Sequence, residues 1–186
     1  SGAIYTGTAN PVVTSITFIP DYANLLAAIP VQQTCYIKDV KPVNTAGGQF
    51  TASSWQTRDL NVINDTGSTT TGTCSFATLA ANQFTLQPGS YVIEATMPAY
   101  AVNIFKARVY NGTTTVALSG NQYSNSGSDI DSASAIMIGS VTISAPTTYY
   151  VQGYCQSTKA TNGFGILANF DSQPEVYTQV KVTKIK

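Results

Sequence analysis

Along most of the chain, apolar and polar residues alternate with a period of two, the pattern of strands that bury one face. In 91–97, Tyr91, Ile93, Ala95 and Met97 fall on one side, and Val92, Glu94 and Thr96 on the other. The next segment sets Phe105, Ala107 and Val109 against Ile104, Lys106 and Arg108. Residues 135–143 alternate Ala135, Met137, Gly139, Val141 and Ile143 with Ile136, Ile138, Ser140 and Thr142. A closing strand sets Val176, Val180 and Val182 against Tyr177, Gln179, Lys181 and Thr183. Further strands are predicted at 35–41, 55–63, 83–87, 114–119, 148–156 and 163–170.

Turn signals separate these runs: Ala46-Gly47-Gly48, Asp65-Thr66-Gly67-Ser68, Pro88-Gly89, Asn111-Gly112, Ser126-Gly127-Ser128-Asp129 and Asn162-Gly163. About ten short strands at this spacing predict an all-β sandwich or jelly roll. One short helix is expected near Tyr22-Ala23-Asn24-Leu25-Leu26-Ala27-Ala28, stopped by Pro30. Residues 1–34 are less strand-like and read as a lead-in or linker, which leaves 35–186 as the β-domain. The opening Ser1-Gly2 suggests a piece of a longer protein.

Two places are apolar on both strand faces, around Ile136/Ile138 and Ile104/Tyr110. A sandwich strand ordinarily turns a polar face to water. A second apolar face therefore predicts a second buried surface, a contact between subunits.

Composition narrows the chemistry. Only 10% of the 186 residues are charged, and nine basic residues balance nine acidic ones. With no cluster of Lys and Arg to track phosphates, nucleic acid is not an expected partner. No run approaches the ~20 apolar residues of a membrane span. Hydrophobic residues make up 43%, enough for a packed interior, and Thr, Ser, Asn and Gln supply most of the polarity. Weak self-repulsion also favours close packing of identical chains.

The sequence contains no His. That removes the commonest general base and the commonest transition-metal ligand, and it excludes Ser-His-Asp and Cys-His arrangements. No Gly-rich loop opens a helix. A pair of carboxylates for glycoside cleavage is conceivable among the nine acids, but nothing in their context singles one out. No enzyme activity, cofactor or metal is expected. Asp129 and Asp131 could lend oxygens to calcium, yet the length, glycine and final Glu of an EF-hand loop are missing, so a solvated loop is expected.

Trp55 is either a stacking platform for a sugar or core packing, and core packing is expected. Cys35, Cys74 and Cys155 are too sparse for a disulfide framework. They are expected as buried free thiols, with a single bridge as the alternative. Lys106 and Arg108 on one strand face read as exposed residues with partners across the sheet, or else as a small anion site.

Several runs together resemble a module at the C-terminal end of bacteriophage and prophage tail fibres. They include Tyr36-Ile37-Lys38-Asp39, Asn44-Thr45-Ala46-Gly47-Gly48 and Trp55-Gln56-Thr57-Arg58-Asp59-Leu60-Asn61. The resemblance continues through Phe84-Thr85-Leu86-Gln87-Pro88-Gly89-Ser90-Tyr91, Pro98-Ala99-Tyr100-Ala101-Val102-Asn103 and Lys106-Ala107-Arg108-Val109-Tyr110-Asn111. It closes with the run from Cys155 to Gly165 and with Glu175-Val176-Tyr177-Thr178-Gln179-Val180. Residues 65–78 are longer and richer in Thr than the resemblance leads one to expect, and 1–33 fall outside it.

The resemblance implies a C1q/TNF-like jelly roll, a homotrimer at the tip of a fibre in the virion. Its partners would be other tail proteins and a bacterial surface glycan as receptor. It carries no catalytic residues. A capsid decoration or fibre-stabilising domain is the alternative, and a glycan depolymerase a third reading. On a β-scaffold, receptor contacts concentrate in loops between strands. The local composition best suited to a glycan is Asn121-Gln122-Tyr123-Ser124-Asn125 running into Asp129 and Asp131. The candidate receptor-binding residues are therefore Tyr123, Asn121, Asn125, Asp129 and Asp131, set against the reading of an ordinary solvated loop.

Overall fold

A computed structural model describes residues 32–120 and 132–185, together with the backbone of 122–123. The short helix expected at 22–28 and the lead-in lie outside the described residues. Twelve strands are present among those described: β1 (Gln33–Lys41), β2 (Gln56–Thr57), β3 (Val62–Asn64), β4 (Ala77–Ala80), β5 (Gln83–Leu86) and β6 (Gly89–Tyr100). They continue with β7 (Ile104–Tyr110), β8 (Thr115–Leu118), β9 (Gln122–Tyr123), β10 (Ser132–Ile143), β11 (Thr147–Cys155) and β12 (Glu175–Lys184). The fold is an all-β jelly roll of two antiparallel sheets. One orders its strands β10-β6-β12-β1-β3; the other runs β4-β5-β11-β7-β8, with β2 also on β11 and β9 also on β7.

The alternation read from the sequence sets the core. Tyr91, Ile93, Ala95 and Met97 of β6 are buried, as are Phe105, Ala107 and Val109 of β7 and Ala135 and Met137 of β10. Aromatic pairs fill the space between the sheets: Phe84 stacks on Tyr149 at 5.6 Å, and Phe50 meets Phe164 at 4.5 Å. Burying each such side chain contributes about 1.5–3 kcal/mol. Gly153 on β11 lies under this layer, where a Cβ would come within 2.7 Å of the Phe50 ring and 2.9 Å of the Met97 sulfur.

The strand expected over 55–63 is two short pieces. β2 pairs with β11 of one sheet and β3 with β1 of the other, so residues 58–61 carry the chain across the sandwich. The strand expected over 163–170 is absent. Gly165 has φ 140° and Asn169, Asp171 and Ser172 have φ between 50° and 60°, which breaks any extended run. β4 was not expected. It is closed onto β5 by Ala81 and Asn82, both left-handed at φ 50° and 62°, the geometry of a primed two-residue hairpin turn.

In β12 the inward phase changes midway. The register between β1 and β12 shifts between Lys38 and Val40, so Tyr177 is buried while Val176 is only half-buried. That bulge overturns the single alternating face expected for 176–183.

The cysteines differ from expectation as well. Cys35 and Cys74 form a disulfide, with Cα atoms 5.9 Å apart, and Cys155 alone is free and buried. Spacing along the chain could not reveal the pair, because β1 and the segment before β4 meet only in the folded sandwich. The bridge anchors the Thr-rich segment 65–76. Asn64 organises that segment from the other side: its amide donates to Ser68 O and Thr70 O, and its Oδ1 accepts from Gly67 N.

Candidate functional site

The outer face of the second sheet carries a ladder of aromatic, amide and cationic side chains. With Phe105, Ala107 and Val109 turned inward, Lys106, Arg108 and Tyr110 of β7 turn outward. Antiparallel pairing sets Tyr110 opposite Tyr150, Arg108 opposite Gln152, and Lys106 opposite Tyr154 on β11. Arg108 Nε donates to Gln152 Oε1 at 2.9 Å, and Gln152 Nε2 donates on to Thr57 Oγ1 of β2 at 3.3 Å. The guanidinium lies between two rings, 4.1 Å from the centre of Trp55 and 3.9 Å from that of Tyr110. Cation–π contacts of this kind contribute about 0.5–1 kcal/mol each at exposed sites.

Trp55 also meets Tyr154 edge-on, with ring centres 5.7 Å apart. Beside this pair opens a cleft of about 500 Å³, lined by Ser53, Trp55, Ile104, Lys106, Tyr154 and Gln156. Its rim is tied down: Asn103 Nδ2 donates to Gln156 Oε1 at 2.6 Å, and Gln156 N donates to Ile104 O at 2.8 Å. Cys155 lies beneath, its thiol pushed up to about 11 by burial, which makes it a poor nucleophile. A stacking surface with polar edges and a cation is the chemistry of a ligand site.

Trp55 is therefore not core packing. It is half-buried on the surface, because its partners Arg108 and Tyr154 both face outward. The pairing of Arg108 with Gln152 matches the expectation of partners across the sheet. Ile104 and Tyr110 do not share a surface with Ile136 and Ile138. The former stand on the outer face of one sheet and the latter on that of the other, so no one apolar patch of the subunit carries both.

Of the candidate receptor residues, Asn121, Asn125, Asp129 and Asp131 lie outside the described residues. Tyr123 belongs to β9, whose backbone pairs with β7 so that Tyr123 is opposite Ile104, one of the cleft residues. The start of the loop singled out by composition thus meets the same end of β7 as the cleft. The cleft itself was missed. Its signal was present in two alternating runs that place Lys106, Arg108 and Tyr110 on one strand face and Tyr150, Gln152 and Tyr154 on another. Only the register between the strands brings them together.

A second polar cluster has its centre, Arg58 and Asp39, closed to solvent. Arg58, fully buried, donates from Nε to Thr178 Oγ1 at 2.7 Å and from a terminal nitrogen to Phe164 O at 2.9 Å, and its guanidinium stacks 3.6 Å above the Phe164 ring. Burial raises the Asp39 carboxyl and draws the Arg58 guanidinium down, while their mutual attraction opposes both shifts. Burial alone would lower Lys41, but its hydrogen bond to Asp59 and the charges of Asp39 and Asp59 outweigh that and raise it. Tyr177 donates to Thr45 O at 2.7 Å, and burial pushes its hydroxyl up to about 12. Arg58 and Asp39 are both inaccessible, and the cluster clamps the crossing segment to the first sheet.

Among solved structures, the chain is similar to Eiger TNF from S. frugiperda, with a TM-score of 0.56 and 12% identity over 83% of this chain and 93% of that one. It is also similar to murine APRIL, with a TM-score of 0.48 and 10% identity over 83% of this chain and 100% of that one. No protein-family model and no curated protein sequence matches the chain. The likeness to Eiger shows a TNF-like jelly-roll fold.

Proposed function

We propose that this domain is the receptor-binding tip of a phage tail fibre, a homotrimer that recognises a bacterial surface glycan and catalyses no reaction. The observation that carries the reading is the contrast between the two outer sheet faces. On β10, Ile136 and Ile138 stand side by side at 64% and 69% exposure, next to the half-exposed Glu94–Lys181 pair. Two large aliphatic side chains in that position favour a covering subunit. The opposite sheet offers the Trp55–Tyr154 cleft, where rings and hydrogen-bonding edges suit a sugar. One face is thus left for assembly and the other for recognition.

The absence of His and the burial of the Arg58–Asp39 cluster support a binding role over catalysis. The test is attachment of labelled protein to a panel of bacterial cells, before and after removal of surface polysaccharide. Binding that disappears with the polysaccharide supports the reading. A trimer that attaches to none of the cells would favour a capsid decoration or fibre-stabilising domain in the virion.

A further inference from the structure

We propose that the Trp55–Tyr154 cleft selects an anionic saccharide, a sugar whose apolar face stacks on the rings and whose carboxylate or phosphate meets Lys106; this rests on reading the domain as a glycan binder. Four of the other described lysines are engaged elsewhere. Lys41 pairs with Asp39 and Asp59, Lys181 with Glu94, Lys38 donates to Gly67 O, and Lys159 lies over the Tyr100 ring. Lys184 also has no ion pair or hydrogen bond among the described residues, but it lies on β12 in the other sheet. Lys106 is likewise unpaired among the described residues, and it is exposed at the cleft itself.

Arg108 stands two residues further along the same face of β7, roughly 7 Å away by strand geometry. Its Nε is committed to Gln152, but its terminal amino groups have no acceptor among the described residues. Among the described residues, no Asp or Glu lines the cleft or occurs in β2, β7, β8 or β11. Two cations with no neutralising carboxylate among the described residues therefore flank an aromatic wall. A neutral sugar would use the rings and leave Lys106 idle. A sugar bearing an anion would use both, through a charge-assisted hydrogen bond. Two cations on a chain of zero net charge are too few for a nucleic-acid backbone, which needs a longer basic track.

The full chain should be titrated with three oligosaccharides, an oligogalacturonate, a mannose-6-phosphate oligosaccharide and an uncharged mannose oligosaccharide, at low and high salt. At least one anionic ligand should bind about tenfold or more tightly than the neutral one, the scale of one hydrogen bond to a charged group. That preference should shrink with salt. The variant Lys106→Gln, at an exposed position, should keep the parent melting temperature and bind charged and neutral ligands alike. Tyr154→Ala should weaken all binding; Trp55→Ala should do the same if it folds.

The carboxylate and phosphate arms identify which anion is preferred. Equal affinity for charged and neutral ligands in the parent, or an unchanged preference in Lys106→Gln, would overturn the anionic selectivity while leaving glycan binding in place. If none of the three binds at millimolar concentration although the protein still attaches to cells through their polysaccharide, the cleft assignment falls and the receptor role stands. If it attaches to no cells either, both fall.

Discussion

The guanidinium of Arg58 and the carboxylate of Asp39 lie 4.0 Å apart, and neither side chain reaches solvent. Asp39 comes from β1 and Arg58 from the segment that crosses between the sheets, so this pair fixes the crossing to the first sheet. Thr178 Oγ1 and the Phe164 carbonyl accept from Nε and one terminal nitrogen of the guanidinium, and the other terminal nitrogen is buried with no hydrogen-bond partner among the described residues. Desolvating two charges is costly, and the pair persists because each compensates the other. Losing one partner leaves the other buried and uncompensated.

Arg58→Leu should therefore destabilise the domain by about 3–5 kcal/mol, read from urea denaturation. Adding Asp39→Asn to that variant should recover part of the loss, because the orphaned charge is then gone. A single substitution costing less than about 1 kcal/mol, the scale of a surface ion pair, would contradict the assigned role.

Acid stability should depend on Glu175. Its carboxylate accepts the backbone N–H groups of Asn169 at 2.9 Å and Ala168 at 3.1 Å, which hold it below its ordinary value of 4.5. A carboxyl lowered on folding contributes fully above that ordinary value and loses its contribution as pH falls through the folded one. Asp39 acts in the opposite sense. Burial raises it, so its contribution is complete below 3.8 and fades as pH rises through the folded value. Glu175→Gln should flatten the fall in melting temperature below 4.5, and an unchanged acid limb would count against the assignment.

The cysteines give a chemical readout. Unfolded without reductant, the protein should show one titratable thiol, and three after reduction. Cys155 should resist alkylation in the folded state at neutral pH, as expected of a buried thiol pushed up to about 11. The Cys35–Cys74 bridge closes a loop with a sequence separation of 39. Replacing both residues with Ser should cost about 2–4 kcal/mol, the range typical of a native disulfide. A count of three thiols without reductant would refute the bridge.

How far the sequence reveals this architecture depends on whether a feature is local. The inward faces of 91–97 and 104–109 were legible because a period of two assigns each side chain a face without reference to other strands. Even the unusual exposure of Ile136 and Ile138 followed from that alternation. The Ala81-Asn82 hairpin was not legible, since Asn82 tolerates a positive φ but Ala81 does not advertise one, and the pair is a weaker signal than Asn-Gly. The exposure of Trp55 and the cleft beside it depend on the pairing of Lys106 with Tyr154 and Arg108 with Gln152. That register is fixed by long-range packing of the core. The Cys35–Cys74 bridge stayed hidden for the same reason.

The central claim, a binding module that assembles through the β10 face of the first sheet, is tested most directly by molar mass in solution. Light scattering at micromolar concentration should give three chains for the parent. It should give one for the double variant Ile136→Glu, Ile138→Glu, which places charge on two side chains that are 64% and 69% exposed in the single chain. Because both side chains point away from the core, the variant monomer should keep its β-sheet circular dichroism signal. A parent that runs as a monomer, or a double variant that remains a trimer, would contradict the account.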